Sequence, residues 1–597
     1  MSKKVVHVMN TAFRDGFQSV FGARVLTPDF LPALEAAKEA GFTHFEAGGG
    51  ARYQALYLYC QENAFDMMDS FRATVGPEAN LQTLSRGVNV VGLDSQSSDV
   101  IDMHAKMFKK HGMTTIRNFD ALNDVRNLIY SGQCIVDAGL KHEVVVTMME
   151  LPPGCSGAHT PEFYMKVLKD ILDAEVPFDS VCFKDASGTA VPSKVHETIR
   201  LARKMLPEDT HIRIHTHDTA GIGVMQYKAA LDAGVDGIDL AMKPVSGGTA
   251  QPDVITMWHA LRGTDFVIDY DMDKVRKAEQ ELQHCLRDYF IPPEALAVEP
   301  MIPFSPMPGG ALTANTQMMR DNQMMDRYTS VIENMGEVVR LGGFGTSVTP
   351  VSQFYFQQAF NNEIFGPWKR IAEGYGKMVL GYFGRTPTAP DAKIVELAGE
   401  ALGLEPTTRC PREMNDEDPK KGLKAAEARL REEGLPITDE NLFIAATCQA
   451  KGIAFLKGEG PLGVRKNVKE STAPSGSGGE GPMTVVVQGE SFTVDVRGGV
   501  AIIDGVEIPV SFDEAATGGA TTGGSGGGTP VCAELAAKVF KIVAKPGDSV
   551  AEGDVLLILE ALKMEIEVVA PTAGKVKGFD VKVGQQVSVG DSLVSVG

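Results

Sequence analysis

The first 262 residues alternate eight short strand-like runs with segments of helical pattern. Segments such as 28–40 and 122–138 place apolar residues at three- and four-residue spacing, which is typical of helices that pack on one face. The strand-like runs are 5–11, 43–48, 81–86, 114–120, 142–149, 180–186, 211–217 and 237–243. Eight such units within residues 1–262 predict an α/β fold, the TIM (β/α)8 barrel.

Beyond the barrel the composition changes several times. Residues 263–466 are mostly helical in pattern and predict a helical extension of the barrel domain. Residues 467–482 and 513–530 are rich in Gly, Ser, Thr and Pro, which predicts flexible linkers because such segments bury little apolar surface. Between the linkers, residues 483–512 alternate apolar and polar positions and predict a small β unit.

Residues 531–597 repeat one β-rich pattern. Equivalent positions lie 37 residues apart: Lys538 and Lys575, Gly547 and Gly584, Gly553 and Gly590. Between the copies the chain reads Glu560-Ala561-Leu562-Lys563-Met564-Glu565. A duplicated half-barrel with a lysine between its halves resembles the biotinyl and lipoyl carrier domains, and Ala-Leu-Lys-Met is close to the Ala-Met-Lys-Met of biotin carriers. The resemblance implies that a biotin protein ligase attaches biotin to Lys563.

Composition excludes several classes of protein. The net charge of −20 argues against non-specific binding to nucleic acid or anionic membranes. There is no run of about 18 apolar residues, and the eight scattered cysteines form no CxxC pair, so we expect a cytoplasmic protein with reduced thiols. No GxxxxGK[ST] motif is present, which indicates that the chain does not bind ATP by itself.

Polar side chains cluster where the predicted barrel strands end, which is where TIM barrels carry their active sites. These strand ends read Arg14-Asp15-Gly16, Arg117-Asn118-Phe119-Asp120, Lys184-Asp185 and His215-Thr216-His217-Asp218. His215 and His217 share a face because alternate strand residues point the same way. Two imidazoles and the carboxylate of Asp15 predict a divalent metal site with positions left for substrate.

Five segments in this order resemble one family. They are Arg14-Asp15-Gly16-Phe17-Gln18-Ser19, Phe119-Asp120-Ala121-Leu122-Asn123-Asp124, Phe183-Lys184-Asp185, His215-Thr216-His217-Asp218 and Gly247-Gly248-Thr249-Ala250-Gln251-Pro252. With Met307-Pro308-Gly309-Gly310 and Val348-Thr349-Pro350, they are similar to the carboxyltransferase domain of pyruvate carboxylase, its separate B subunit and the α subunit of oxaloacetate decarboxylase. The resemblance covers residues 5–465 and the carrier at 530–597.

The resemblance implies a role for each residue of the site. The ligands of one divalent metal (Zn, Mn or Co) would be Asp15, His215, His217 and a carbamylated Lys184. Thr249 would pass a proton between the biotin ring nitrogen and the substrate. Arg117 and Gln18 would hold the 2-oxo acid, Arg117 because a guanidinium grips a carboxylate at two points. Arg14 would bind substrate or serve a structural role.

The implied function is a biotin-dependent carboxyltransferase that moves a carboxyl group between carboxybiotin and a 2-oxo acid. Pyruvate and oxaloacetate are the expected pair, in either direction. The leading interpretation is the non-ATP-binding subunit of a two-subunit pyruvate carboxylase, which needs a separate biotin carboxylase subunit. The alternative is the α subunit of a sodium-pumping oxaloacetate decarboxylase, whose partners are membrane proteins. The resemblance also suggests at least a dimer of barrels.

The motifs depart from the family at the barrel mouth, and this keeps other interpretations open. Gly16-Phe17 replaces Ala-His, Glu46-Ala47-Gly48-Gly49-Gly50 replaces Glu-x-Trp-Gly-Gly, and residues 147–154 lack the usual tyrosine-containing run. A larger acid such as 2-oxoglutarate is therefore an alternative substrate. Two further alternatives are a carrier module with a non-catalytic barrel scaffold and a metal-dependent aldol-type lyase or synthase.

Overall fold

A computed structural model gives the fold of the chain. It describes residues 3–467, 481–487, 490–497, 500–503, 506–509, 529–533, 537–561, 564–587 and 590–597. The chain divides into two compact units, Met1–Asn467 and Val468–Gly597. Lys563 and most of the two predicted linkers lie outside the described residues.

Eight parallel strands close into a barrel, which confirms the predicted fold class. In chain order they are β1 His7–Asn10, β2 His44–Glu46, β3 Asn80–Ser85, β4 Thr115–Asn118, β5 Lys141–Thr147, β6 Ser180–Asp185, β7 His211–Thr216 and β8 Gly237–Leu240. The barrel closes where β8 pairs with β1, with Ile238 opposite Val8. Because all strands run the same way, their carboxyl ends meet at one face.

Helices follow the barrel strands and cover the outside of the barrel. They are Thr27–Glu39, Ala64–Val75, Ser98–Lys110, Arg126–Asp137, Pro161–Asp173, Pro192–Met205, Gly223–Ala233 and Val254–Ala260, and Met272–Leu286 packs beside the first of them. Side chains cap some of their first turns: Thr160 Oγ1 accepts a hydrogen bond from Phe163 N, and Asn63 Oδ1 accepts one from Phe65 N. Apolar residues of strands and helices pack between the two layers.

The inside of the barrel is polar, unlike the layer outside it. Arg117, Glu143, Arg213 and Asp239 are all buried there, and they form ion pairs with one another. Burial of a charge is costly unless the charge is paired, and here two cations face two anions. This buried network lies directly below the carboxyl ends of the strands, where the predicted site begins.

The predicted helical extension is confirmed, and it packs on the barrel within the same compact unit. Its helices are Gly309–Asp321, Tyr328–Leu341, Val351–Phe365, Glu373–Val379, Ala392–Leu402, Pro411–Glu417, Gly422–Glu432 and Asp439–Leu456. The last helix packs against Ser98–Lys110, and Phe443 lies edge to face with Tyr53 in the barrel core. The extension thus shares the hydrophobic core of the barrel.

The second unit contains two β structures. Strands Gly481–Val487, Glu490–Arg497, Val500–Ile503 and Val506–Pro509 form an antiparallel sheet that covers most of the predicted small β unit and begins two residues before it. Residues from 529 onward form two four-stranded sheets around a core that includes Val539, Leu557 and Leu593, which confirms a β-rich carrier domain. In the described part of the whole chain, no helix has the length and apolarity needed to cross a membrane.

Candidate active site

Asp15, His215 and His217 meet at the carboxyl end of the barrel. Asp15 follows β1 in the short helical segment Ala12–Gly16, and the two histidines lie at the end of β7. All three are buried, and their ligand atoms lie within 4.8 Å of one another. Asp15 Oδ2 is 3.2 Å from His215 Nε2 and 3.4 Å from His217 Nε2. The structure therefore brings together three of the four predicted metal ligands.

Both imidazole rings are fixed through Nδ1. His215 Nδ1 lies 2.8 Å from Asp239 Oδ2, and His217 Nδ1 lies 2.7 Å from the Thr249 carbonyl oxygen. Arg117 Nη1, which can only donate, lies farther from His215 Nδ1, at 3.3 Å. Because the nearest partner of each Nδ1 is an acceptor, the proton resides on Nδ1 and the lone pair stays on Nε2. Within the described residues His215 Nε2 is buried without a hydrogen bond, and burial lowers the pKa of His215. A neutral imidazole with a free Nε2 fits a divalent metal.

Asp15 supplies the anion of this set. Burial works against its ionisation, but Arg14 and His217 hold the pKa of Asp15 well below its usual range. Gln251 Nε2 lies 3.1 Å from Asp15 Oδ2 and 3.1 Å from His217 Nε2, so the amide spans two members of the set. One carboxylate and two imidazoles are a donor set that suits Zn, Mn or Co.

Lys184, the fourth predicted ligand, is buried near the end of β6. Among the described residues its ammonium nitrogen donates no hydrogen bond and lies in no ion pair shorter than 4.0 Å, although it borders the same cavity as Asp15 and His217. Burial lowers the pKa of Lys184, and the nearby charge of Asp15 only partly offsets that effect. The environment therefore disfavours a charged lysine at this position.

A cavity of about 30 Å³ opens beside these residues. It is lined by Arg14, Asp15, Gln18, Gly50, Leu84, Arg86, Phe119, Lys184, Ala186, His217, Pro308, Gly310, Val348 and Thr349. The last four belong to the two extension motifs that resembled the family, so the extension forms one wall. The cavity thus contains cationic, amide and apolar groups at the mouth of the barrel.

Arg14 and Gln18 lie on one side of the cavity. Arg14 Nη1 donates to Gln18 Oε1 at 2.9 Å, which leaves the amide nitrogen of Gln18 as a donor for a ligand. The other end of Arg14 pairs with Glu46 and lies 3.3 Å from Asp15 Oδ2. Arg14 is therefore largely neutralised by protein carboxylates, which favours the structural role that the sequence left open.

Arg86 is a cavity residue that the sequence analysis missed. It directly follows β3, and its Nη1 donates to the carbonyl oxygens of Val91 at 2.7 Å and Gly92 at 2.9 Å. It has no carboxylate partner among the described residues, and burial, with the charge of Arg14, lowers the pKa of Arg86 to about 9. The same strand-end rule that selected Asp15 would have found it.

Arg117 sits inside β4, one layer below the cavity, and is not among the cavity residues. Its guanidinium is fully buried and pairs with Glu143 and with Asp239, at 2.5 Å from Asp239 Oδ2. Among the described residues its Nη2 is buried without a hydrogen-bond partner. Substrate binding by Arg117 therefore stays a prediction, which the position of Arg117 below the cavity does not favour.

Thr249 lies beside the metal-ligand set, but its hydroxyl points away from the cavity. Its Oγ1 donates to the carbonyl oxygens of Ser19 and Ala295, at 3.0 Å in each case. Its own carbonyl oxygen accepts from His217. Thr249 thus positions His217 through its backbone, and proton transfer would require rotation of its side chain about χ1.

In the carrier domain, a pair of strands flanks Lys563 in sequence. Strands Val555–Ala561 and Met564–Val569 pair antiparallel, with Ala561 opposite Met564. The strands of the two halves contribute to one core, as the repeat of 37 residues predicted. Lys563 itself lies outside the described residues.

Comparison with known proteins assigns each of these regions. Family models match residues 99–282 ("HMGL-like"), 302–503 ("Conserved carboxylase domain") and 528–596 ("Biotin-requiring enzyme"). The B subunit of pyruvate carboxylase from Methanothermobacter thermautotrophicus is 28% identical over 574 residues, or 94% of each chain. The 2-oxoglutarate carboxylase large subunit of Hydrogenobacter thermophilus is 29% identical over 604 residues, covering 95% of this chain and 91% of its own.

A solved structure shares the fold. The carboxyl transferase domain of Rhizobium etli pyruvate carboxylase, determined with pyruvate and biocytin, superimposes with a TM-score of 0.68 at 21% identity and covers 85% of this chain. The superposition covers 89% of the solved chain. The barrel and its extension are therefore an arrangement already known from carboxyl transfer.

A carboxylase domain and a biotin-requiring domain, joined to this barrel, make the chain a biotin-dependent carboxyltransferase. It is similar over most of its length to the B subunits of pyruvate carboxylase, in agreement with the resemblance of the sequence motifs. The predicted cofactors, covalent biotin and a divalent metal, are confirmed by the biotin-requiring and HMGL-like matches together with the Asp-His-His set. These findings favour a catalytic carboxyltransferase over the non-catalytic scaffold and the aldol-type alternatives.

Proposed function

We propose that the chain transfers a carboxyl group between biotin on Lys563 and pyruvate or oxaloacetate, as one subunit of a two-subunit pyruvate carboxylase. The observation that carries this proposal is a small cavity beside the Asp15–His215–His217 set. Of the two guanidiniums that line it, that of Arg86 has no carboxylate partner among the described residues. A 2-oxo acid with a single carboxylate matches one available cation on one side and one metal site on the other.

Arg86 and Gln18 are the groups that would hold the acid. The guanidinium of Arg86 offers donors to the carboxylate, and Gln18 offers its amide nitrogen because its oxygen already accepts from Arg14. When bound, a divalent metal on Asp15, His215 and His217 would supply Lewis-acid polarisation of the 2-oxo group. Arg117, given a substrate role from the sequence, has no part in this binding.

Lys184 is proposed to complete the ligand set as a carbamate. A neutral lysine amine adds to CO₂ and releases one proton, which gives an anionic oxygen donor in place of a cation. The depressed pKa and the absence of a hydrogen-bond partner among the described residues leave the amine free for this reaction. An unmodified, charged Lys184 would repel a divalent metal ion bound beside it by Asp15 and His217.

Thr249 is proposed to carry the proton that the transfer moves. Its hydroxyl lies within 3.4 Å of Thr313 Oγ1 and now donates to two backbone carbonyls. A change of χ1 rotamer would turn the hydroxyl toward the cavity. There it would take up the methyl proton of the 2-oxo acid as it gives its own proton to the biotin ring nitrogen. The same proton transfer in reverse serves decarboxylation of the four-carbon product.

A second substrate, 2-oxoglutarate, is favoured by one observation, the similarity to the large subunit of a 2-oxoglutarate carboxylase. One feature of the site speaks for pyruvate instead. Of the two arginines that line the cavity, Arg14 faces Glu46 and Asp15, so a second substrate carboxylate would lack an available guanidinium among the described residues.

The partners follow from the same proposal. The relatives named as B subunits of pyruvate carboxylase imply a separate biotin carboxylase subunit that loads the carrier. A biotin protein ligase would modify Lys563, and the barrel would assemble at least as a dimer in the cytoplasm. Under the decarboxylase alternative the partners would instead be membrane proteins.

The test combines an avidin blot with an exchange assay between oxaloacetate and labelled pyruvate, without ATP. We expect avidin binding and exchange in the full chain, and loss of both in Lys563→Arg. Lys545→Arg, a substitution of an exposed lysine elsewhere in the carrier, is the matched control and should keep both. Exchange with labelled 2-oxoglutarate instead of pyruvate would contradict the substrate, and absence of avidin binding would contradict the proposal.

A further inference from the structure

We infer that Asp239, held by Arg117 and Arg213, is a positioning residue that sets the strength of the metal site through His215. The inference rests on the metal site in the proposed function and concerns residues that do not touch the substrate. It gives Arg117 a role in place of the substrate contact predicted from the sequence.

The two histidines of the site are supported by different chemical groups. His217 Nδ1 donates to a neutral backbone carbonyl, that of Thr249, at 2.7 Å. His215 Nδ1 donates to a carboxylate, that of Asp239, at 2.8 Å. A carboxylate behind an imidazole fixes its tautomer and raises its basicity more than a carbonyl does. His215 should therefore be the stronger of the two nitrogen ligands.

Asp239 is held in place from several sides. It is a residue of β8 with a fully buried side chain. Arg117 Nη1 donates to Oδ2 at 2.5 Å, and Arg213 Nη1 donates to Oδ1 at 3.3 Å. Both carboxylate oxygens are thus fixed by arginines, and the oxygen that accepts from His215 is the one that Arg117 also contacts.

Glu143 closes the network on the side away from the metal ligands. It pairs with Arg117, and its Oε2 lies 3.6 Å from Arg213 Nε. Gln82 Nε2 also donates to it at 2.7 Å. In the described residues Glu143 contacts neither Asp15, His215 nor His217. It therefore has the same charge and burial as Asp239 but lacks the contact with the metal ligand, which makes it a matched control.

Asp239→Asn should weaken the site without removing the side chain's volume. One carboxylate oxygen becomes an amide nitrogen, which is a donor that must face either an arginine or His215 Nδ1. The negative charge behind His215 is lost at the same time. Loss of such a supporting group costs about 10–100-fold in metal affinity.

The experiment measures metal affinity on the purified full-length chain by competition with a chelator, using Co²⁺ so that its visible absorption reports the ligand geometry. We expect Asp239→Asn to lose about 10–100-fold in affinity and to shift the Co²⁺ spectrum. Glu143→Gln should retain the affinity and spectrum of the unsubstituted chain. Unchanged affinity in Asp239→Asn, or an equal loss in Glu143→Gln, would overturn the inference.

A second variant covers the case in which Asp239→Asn does not fold. Arg117→Lys keeps the charge, but a single ammonium cannot reproduce the contacts of the guanidinium with both Asp239 and Glu143. Metal affinity should therefore fall, while KM for the 2-oxo acid at saturating metal stays unchanged. The reverse pattern, a raised KM with unchanged metal affinity, would restore a substrate role for Arg117 and refute the inference. Because metal binding is read without substrate, failure of pyruvate exchange in the unsubstituted chain would count only against the proposed substrate.

Discussion

The carbonyl oxygen of Thr249 accepts a hydrogen bond from His217 Nδ1 at 2.7 Å. The residue predicted to move the proton therefore also orients a metal ligand through its backbone. Its position depends on Gly309, because a β-carbon at residue 309 would lie only 1.6 Å from that same carbonyl oxygen. Gly309 comes from the extension, so the extension determines where the loop after β8 can lie.

Gly309→Ala should consequently displace Thr249 and release His217 from its acceptor. We expect metal affinity and pyruvate–oxaloacetate exchange to fall together, by about 10–100-fold. Biotinylation should not change, because the carrier lies in the other compact unit. Gly399→Ala, in the interior of a distant helix, is the control, since its nearest contact would be 3.2 Å from Leu404 O. A Gly309→Ala chain with full metal content would contradict this account.

Arg86→Gln tests the proposed carboxylate contact. Removing hydrogen bonds from a charged group costs about 1.5–3 kcal/mol, so kcat/KM for the 2-oxo acid should fall roughly 10- to 150-fold. Bound metal should stay constant. Arg72→Gln is the control because Arg72 also donates to backbone carbonyls, including Gly112 O at 3.0 Å, but does not line the cavity. Equal losses in both variants would indicate a general effect on folding.

Metal reloading tests the proposed carbamate on Lys184. After chelation, we expect Mn²⁺, Zn²⁺ or Co²⁺ to restore activity better in bicarbonate buffer than in buffer freed of CO₂, because the fourth ligand forms from CO₂. Lys184→Gln should bind metal weakly in both buffers. Equal recovery with and without CO₂ would show that the amine itself, or another group, completes the site.

The fold followed from the sequence because hydrophobic periodicity reports strands and helices directly. The strand-end rule also found Asp15, Lys184, His215 and His217, because topology brings the carboxyl ends of parallel strands to one face. It could not resolve depth along the barrel axis. Arg117 lies within β4 and is neutralised by Glu143 and Asp239, whereas Arg86 lies one residue beyond β3 and reaches the cavity.

The sequence could not predict the direction of individual side chains, for a different reason. The Gly-Gly-Thr motif predicted Thr249 as a site residue, and in the structure its hydroxyl lies against the carbonyl oxygens of Ser19 and Ala295. Those partners come from distant segments, and only tertiary packing decides between them and the cavity. The same holds for Gln251, a motif residue whose contact with Asp15 depends on how the loop after β8 folds back.

Glu279 should make the stability of the barrel unit depend on pH. It lies on helix Met272–Leu286 with 7% of its surface exposed, and among the described residues its Oε1 has no hydrogen bond. Burial, reinforced by the charge of Asp253, raises the pKa of Glu279 from 4.5 to about 8. Between pH 4.5 and about 8, Glu279 is protonated in the folded chain and ionised in the unfolded chain. The free energy of unfolding therefore falls as the pH rises through that range.

Glu279→Gln removes this dependence, because an amide stays neutral at every pH. The difference in melting temperature, variant minus unsubstituted chain, should increase by roughly 1–3 °C from pH 5 to pH 8.5, as measured by differential scanning calorimetry. Glu281→Gln, two positions further along the same helix, is the control for the effect of a Glu-to-Gln substitution on this helix. If Glu279→Gln gave a difference in melting temperature that does not change with pH, the carboxyl group would be ionised in the folded chain over this range. That result would contradict the raised pKa of Glu279.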